Sequence, residues 1–119
     1  IGLNCGLGPI QLLPFMRDMA KVSSTPILVN PNAGLPRSEG GKTVYDIDAA
    51  HFAKTVEEIV DMGARIVGGC CGTTPEYIAL LSKELAGKTV KDVPRHTSLR
   101  QNLPAMIFLS VKLRTKIAQ

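Results

Sequence analysis

The chain reads as an α/β protein built on a parallel sheet, and three observations predict this. A short apolar strand, a turn rich in Gly, Pro and Asn, and an amphipathic helix follow one another three times within residues 1–87. Parallel neighbours need a crossover connection, and a helix between successive strands supplies a right-handed one. The 119 residues, 45% of them hydrophobic and 20% charged, have the composition of an ordinary globular chain with one modest core, which excludes collagen-like, coiled-coil and wholly disordered proteins.

In the first unit Ile1 to Asn4 is a strand, Cys5 to Pro9 a turn, and Leu12, Leu13, Met16, Met19 and Ala20 form a helical stripe that ends by Ser24. Pro14 is expected to delay or kink the start of that helix, because it lacks an N–H and its ring crowds the preceding turn. The second unit has Pro26 to Val29 as a buried strand, a long loop from Asn30 to Ile47, and a helix from about Ala49 to Met62 with Asp48 as N-cap and Gly63 as its stop. Its buried face is Ala49, Phe52, Ala53, Val56, Ile59 and Val60, leaving Lys54, Glu57, Glu58 and Asp61 in water. The third unit has Arg65 to Gly68 as strand, Gly69 to Thr73 as turn, and a helix from Pro75 to about Ala86, with Thr74 as N-cap and Gly87 beyond the end.

Charge divides the chain. Residues 1–87 carry seven Lys/Arg and nine Asp/Glu, whereas residues 88–119 carry seven basic residues against the single Asp92. The net charge of +4 therefore resides in the tail, which offers only Phe108 as an aromatic stacking partner, so no nucleic-acid surface is expected. No apolar run approaches the roughly 20 residues of a membrane span, and the start at Ile1 is not that of a signal peptide. We read the chain as soluble and cytoplasmic, with no membrane partner, and as part of a longer polypeptide.

The three cysteines carry the chemistry. Cys5 directly follows the first strand, and Cys70 and Cys71 directly follow the third. In a barrel or a doubly wound sheet the ends of parallel strands share one rim, so residues 65 apart can meet. A lone cysteine is usually a small buried hydrophobe, but three at equivalent strand ends are not lone. A disulfide between the adjacent Cys70 and Cys71 would be strained, and metal ligation is the better account. Three thiolates suit a soft or borderline ion, chiefly zinc, and leave a fourth position for an exchangeable ligand. Gly68, Gly69 and Gly72 allow the backbone to bend tightly enough for both adjacent cysteines to reach one ion.

The runs Gly2-Leu3-Asn4-Cys5, Asn30-Pro31-Asn32-Ala33-Gly34-Leu35-Pro36 and Gly68-Gly69-Cys70-Cys71-Gly72-Thr73-Thr74-Pro75 resemble the last three strand ends of the barrel in the homocysteine S-methyltransferase family. Within it, the Pro-Asn-Ala-Gly and Cys-Cys-Gly-Thr-Thr-Pro forms resemble the cobalamin-dependent branch more than the branches that use betaine or S-methylmethionine. The resemblance implies that residues 1–90 are the C-terminal part, about three βα units, of a homocysteine-binding (β/α)8 TIM barrel, with residues 91–119 a basic tail or linker of unknown role. It implies zinc held by Cys5, Cys70 and Cys71, homocysteine as substrate, and methylcobalamin as methyl donor on another module. The partners it implies are the remaining barrel and the folate and cobalamin modules of a longer chain.

Asn32, at the end of the middle strand, is either an oxygen ligand to the metal when substrate is absent, or substrate-contacting, as the resemblance suggests, or the start of an Asx-turn. Asn4, Gly69 and Gly72 are read as supporting the metal-binding cysteines. Asn4 is expected to point away from the metal toward neighbouring backbone. His51, in the first turn of the second helix, and His96, in the tail, are assigned no ligand role. The segment from Arg37 to Tyr45 either covers substrate or is a flexible surface loop. In the tail, Leu99, Leu103, Met106, Leu109, Leu113 and Ile117 recur at helical spacing, with Asn102 as a candidate N-cap.

Three function classes follow: a zinc-dependent homocysteine methyltransferase of which this is one part, a truncated or vestigial zinc- or thiol-binding protein without turnover, and a nucleic-acid or membrane-surface module driven by the tail. Three of eight units leave open sheet edges, so self-association, and inactivity of the isolated piece, are expected.

Overall fold

The computed structural model describes residues 1–90. The tail, with its apolar positions from Leu99 to Ile117, its N-cap candidate Asn102 and His96, lies outside the described residues. The elements are β1 (Gly2–Asn4), α1 (Pro9–Val22), β2 (Ile27–Asn30), β3 (Pro36–Glu39), β4 (Lys42–Tyr45), α2 (Ala49–Asp61), β5 (Ala64–Val67) and α3 (Pro75–Glu84). Among them no helix is long and apolar enough to cross a membrane.

β1, β2 and β5 form a parallel sheet in that order, with Gly2 opposite Leu28, Asn4 opposite Asn30, and Val29 opposite Val67. Because the order advances in one direction, right-handed crossovers place the helices on a single face of the sheet. All three strands pair in parallel, as the repeated units predict, and a mixed α/β architecture of the expected three units is in place.

The core lies between that face and the helices. β2 turns Ile27 and Val29 into it, both fully buried, while Leu28 and Asn30 on the opposite face stay partly accessible. α2 is the central helix, packed against α1 on one side and α3 on the other. Its expected stripe is buried in full, and Phe52, Val56 and Ile59 have no exposed surface. Phe52 meets the Tyr77 ring edge to face at 5.4 Å, and the Tyr77 hydroxyl donates to the Ile47 carbonyl at 2.6 Å, so the polar tip of an otherwise apolar side chain is satisfied. Glu57, expected in water, is half-buried because Lys88 lies over it and pairs with both Glu57 and Asp61.

Three expectations need correction. α1 starts at Pro9 and continues through Pro14 to Val22, so Pro14 does not delay its start. Pro9 occupies the first helical position, where a missing N–H costs nothing, and Pro14 sits on the exposed side, where water can meet the carbonyl it leaves unpaired. Thr74 occupies the N-cap position of α3 in extended backbone, but its side chain makes no capping bond, and the helix ends at Glu84. The supposed long loop from Asn30 to Ile47 contains a hairpin, in which β3 and β4 pair antiparallel from Pro36–Tyr45 to Glu39–Lys42. Gly40 and Gly41, with φ of 56° and 75°, form its two-residue turn, whose twist matches that of the strands. The strands Pro-Arg-Ser-Glu and Lys-Thr-Val-Tyr are short, polar and mostly exposed, so no apolar alternation marks them.

Two outcomes follow. Phe52→Ala removes a fully buried side chain of the central helix that packs on the Tyr77 ring, and is expected to cost about 3–5 kcal/mol in denaturant unfolding. Asp48 caps α2 by accepting from the His51 N–H at 2.9 Å, and its other oxygen lies 2.7 Å from His51 Nδ1. These bonds, the backbone one first, hold its carboxyl below the ordinary 3.8. A depressed carboxylate stabilises the fold fully above the unfolded value and loses that contribution as pH falls through the folded one. Asp48→Asn caps without titrating, so its stability deficit relative to the parent should shrink on acidification, as read by urea unfolding across a pH series.

Candidate metal centre

The site forms at the C-terminal ends of β1, β2 and β5. β1 delivers Cys5 in a left-handed conformation, φ 63°, the one such non-glycine residue among those described. That conformation is costly for a residue with a Cβ, and it is held by the Cys5 N–H donating to the Asn30 carbonyl at 3.0 Å and the Leu7 N–H donating to the Cys5 carbonyl at 2.8 Å.

The segment after β2 runs between the two cysteine loops and bonds to both. Toward the first, the Asn32 N–H donates to the Leu7 carbonyl at 3.0 Å. Toward the second, the Cys70 N–H donates to the Pro31 carbonyl at 2.8 Å and the Ala33 N–H to the Cys71 carbonyl at 2.9 Å. Between these, Asn32 Oδ1 accepts from the Cys71 N–H at 3.0 Å. Thr73 then closes the loop, its hydroxyl donating to the Cys70 carbonyl at 2.7 Å.

The result is convergence of three thiols. Cys5 and Cys71 Sγ are 3.6 Å apart, Cys70 and Cys71 Sγ 4.0 Å apart, and all three sulfurs lie within 4.8 Å of one another. Three thiolates at about 2.3 Å from one tetrahedral ion must sit roughly 3.8 Å apart, so the donor set and its spacing fit zinc. Cys5 and Cys70 are partly buried and Cys71 is exposed, which leaves an open side.

Cys5 and Cys70 differ in acidity. Hydrogen bonds from the Gly6 N–H first, then from the neighbouring thiols and the Asn32 amide, pull the Cys5 thiol down. Burial first, then the neighbouring sulfurs, pushes the Cys70 thiol up to about 11. Three thiolates at this spacing repel one another, and a cation is what would let all three ionise.

Asn32 is 5% exposed, and its carbonyl bond reaches a residue 39 positions away, not its own turn, so no Asx-turn is involved in that contact. The oxygen keeps a second lone pair. Asn4 is exposed at the end of β1. A Cβ on Gly69 would fall 2.6 Å from the Thr73 side chain, and one on Gly72, whose φ is +79°, would fall 2.3 Å from the ring of Tyr45. His51 is on the exposed helix end with Asp48, away from the sulfurs.

Tyr45 is the residue that sequence reading missed. It ends β4, half-buried, with its ring over Gly72, and burial together with the neighbouring thiols, Cys71 foremost, pushes its phenol up. Its only signal in the sequence was an aromatic at the close of a polar segment bracketed by Gly34 and Asp46. A Cβ at Gly34, φ +97°, would meet Asp46 Oδ1, which accepts from the Leu35 N–H at 2.8 Å and pins the base of the hairpin.

A family model for homocysteine S-methyltransferase matches residues 1–85. The methionine synthase of Mycobacterium leprae (strain TN) is 36% identical over 96 residues, 80% of this chain and 8% of that protein. The chain thus spans under a tenth of that relative's length.

Asn32→Ala leaves the Cys71 N–H without its acceptor in a partly buried loop. We expect a loss of about 1–3 kcal/mol in chemical unfolding.

Proposed function

The chain belongs to the homocysteine S-methyltransferase family, and on that premise we propose that Cys5, Cys70 and Cys71 hold a zinc ion at which homocysteine is methylated to methionine. The observation that carries this reading is the meeting of three thiols from two strand ends, 65 residues apart in sequence, within 4.8 Å. We further read residues 1–90 as the closing portion of a (β/α)8 barrel, which agrees with a sheet whose order advances one way and whose helices lie on one face.

Zinc, when bound, supplies a positive charge that keeps a ligating thiol deprotonated at neutral pH, where a free thiol near pKa 8.5 is mostly protonated. The chain's own residues prepare that chemistry. Cys5, with its lowered pKa, is the thiol readiest to ligate, and Cys70 gives up its proton only against a cation. Asn32 holds Cys71 through its side-chain oxygen, which accepts from the Cys71 N–H, and that oxygen's second lone pair is available for the role of fourth ligand. Gly69 and Gly72 keep the loop narrow, and Asn4 lies at the rim. The exposed side beside Cys71 is where the homocysteine sulfur would enter. That sulfur then attacks an activated methyl group, forming the new S–C bond as the donor's bond to methyl breaks. The likeness to a methionine synthase, and the forms of the Asn-rich and Cys-Cys motifs, favour methylcobalamin as the donor, carried on a module beyond this chain. Binding of the amino acid's amine and carboxylate, and complete turnover, are assigned to further chain.

Anaerobic preparation in zinc should yield one ion per chain, and Cys5→Ser, Cys70→Ser and Cys71→Ser should each lose most of it by elemental analysis. Full stoichiometry in Cys5→Ser would overturn the three-thiolate centre.

A further inference from the structure

An apolar groove opens where the end of α2, the outer strand β5 and the residues that follow α3 come together, and its volume is about 210 Å³. Val60, Ala64, Val67 and Leu85 line it, each at most 6% exposed, so the groove continues the core and opens to one side. Val90 lines it as well and packs against the core. The charged residues at the groove are Arg65 and Lys88, and Lys88 is held over α2 by Glu57 and Asp61.

Size and lining say what fits. Small-molecule sites run from roughly 300 Å³ upward, so this space suits one or two apolar side chains rather than a separate ligand. Val90 is both a wall of the groove and the last described residue, so the chain continues from inside it. The likeness to the mycobacterial methionine synthase covers 96 residues and therefore also runs on past Val90. Next come Lys91, Asp92, Val93, Pro94 and Arg95, and Val93 is the first apolar side chain after Val90. Three residues span at most about 11 Å, which keeps Val93 within reach of the groove wherever the backbone turns. Pro94 biases Val93 toward extended backbone, and in polyproline II geometry residues three apart share a side, so Val93 can follow Val90 onto the same surface. A tether this short also holds the side chain at a high effective concentration, so a modest apolar contact is enough to fill the site.

We propose that the groove is a docking site for the chain's own segment Lys91–Arg95, with Val93 as the side chain that fills it. The seated segment closes the core over Val60 and Leu85 and packs against Val67, three residues before Cys70 on the strand that delivers two of the thiols. It also fixes the direction in which the chain leaves β5 and α3. Nothing in this depends on the metal-binding reading, and either can fail without the other.

Hydrogen exchange on the full chain tests it, comparing the parent with Val93→Asp and Val93→Ile. An Asp side chain cannot occupy an apolar groove without a partner, whereas Ile can. In Val93→Asp the amides of residues 85–90 should exchange about tenfold faster or more, because burying a valine contributes that much to closing the site. In Val93→Ile the parent rates should return. A Val93 side chain in water would leave all three proteins alike, and equal exchange at residues 85–90 overturns the proposal. The parent is also measured across a dilution series. Protection of residues 85–90 that holds on dilution supports docking within one chain; protection that falls on dilution assigns the groove to a second copy and overturns it.

Discussion

Five hydrogen bonds from the four residues Asn30 to Ala33 hold the site, and everything around it depends on them. Toward β1 the Asn30 carbonyl takes the Cys5 N–H and the Asn32 N–H goes to Leu7; toward β5 the Pro31 carbonyl takes the Cys70 N–H, Asn32 Oδ1 takes the Cys71 N–H, and the Ala33 N–H goes to the Cys71 carbonyl. The segment thus continues the pairing of the central strand for one turn past the end of the sheet. Pro31, Asn32, Ala33 and Gly34 are all buried, so these bonds are shielded from water and a broken one leaves an unpaired polar group. Two loops that are far apart in sequence cannot bring thiols to within 4 Å of one another by their own preferences, and this central segment does it for them.

The placement of the core follows from the same arrangement. β2 is the middle strand and sends Ile27 and Val29 into the helix layer, where α2 covers them with Phe52, Val56 and Ile59. Burial of apolar surface on one face fixes the height and tilt of the strand, and the strand's end fixes the lacing segment. The chemistry at the rim is therefore built on the end of the central, core-packed strand. Cys5 shows what that anchoring supports, since its left-handed backbone is unfavourable alone and persists because both flanking peptide groups are bonded.

Electrostatics add a second layer. The site brings three thiols together without a cationic side chain among the contacts that shift Cys5 and Cys70, and the acidities of those two diverge, with Cys5 lowered by donors and Cys70 raised by burial. Such a group of sulfurs is poised for a cation and poorly suited to a structural core. Asn32 accepts from the Cys71 N–H beside this cluster, and Tyr45 lays its ring on Gly72, so the cysteine loop is held from the lacing segment and from the hairpin.

Much of this was legible in the chain itself. The stripe of α2, the cap at Asp48, Pro75 at the head of α3 and the alternation of strand and helix are local patterns, and local physics decides them. The cysteines at equivalent strand ends and the motifs around them pointed to one family and one centre. What only the tertiary structure decided is how the parts meet. The hairpin escaped notice because its strands are polar and exposed, and its sole marker was the Gly40–Gly41 turn. The Asn32 bond to the Cys71 N–H and the seating of the Tyr45 ring on Gly72 depend on contacts across 39 and 27 positions of sequence, respectively. No periodicity or capping rule encodes such contacts, because they are set by the register of the parallel sheet and the lacing at its rim.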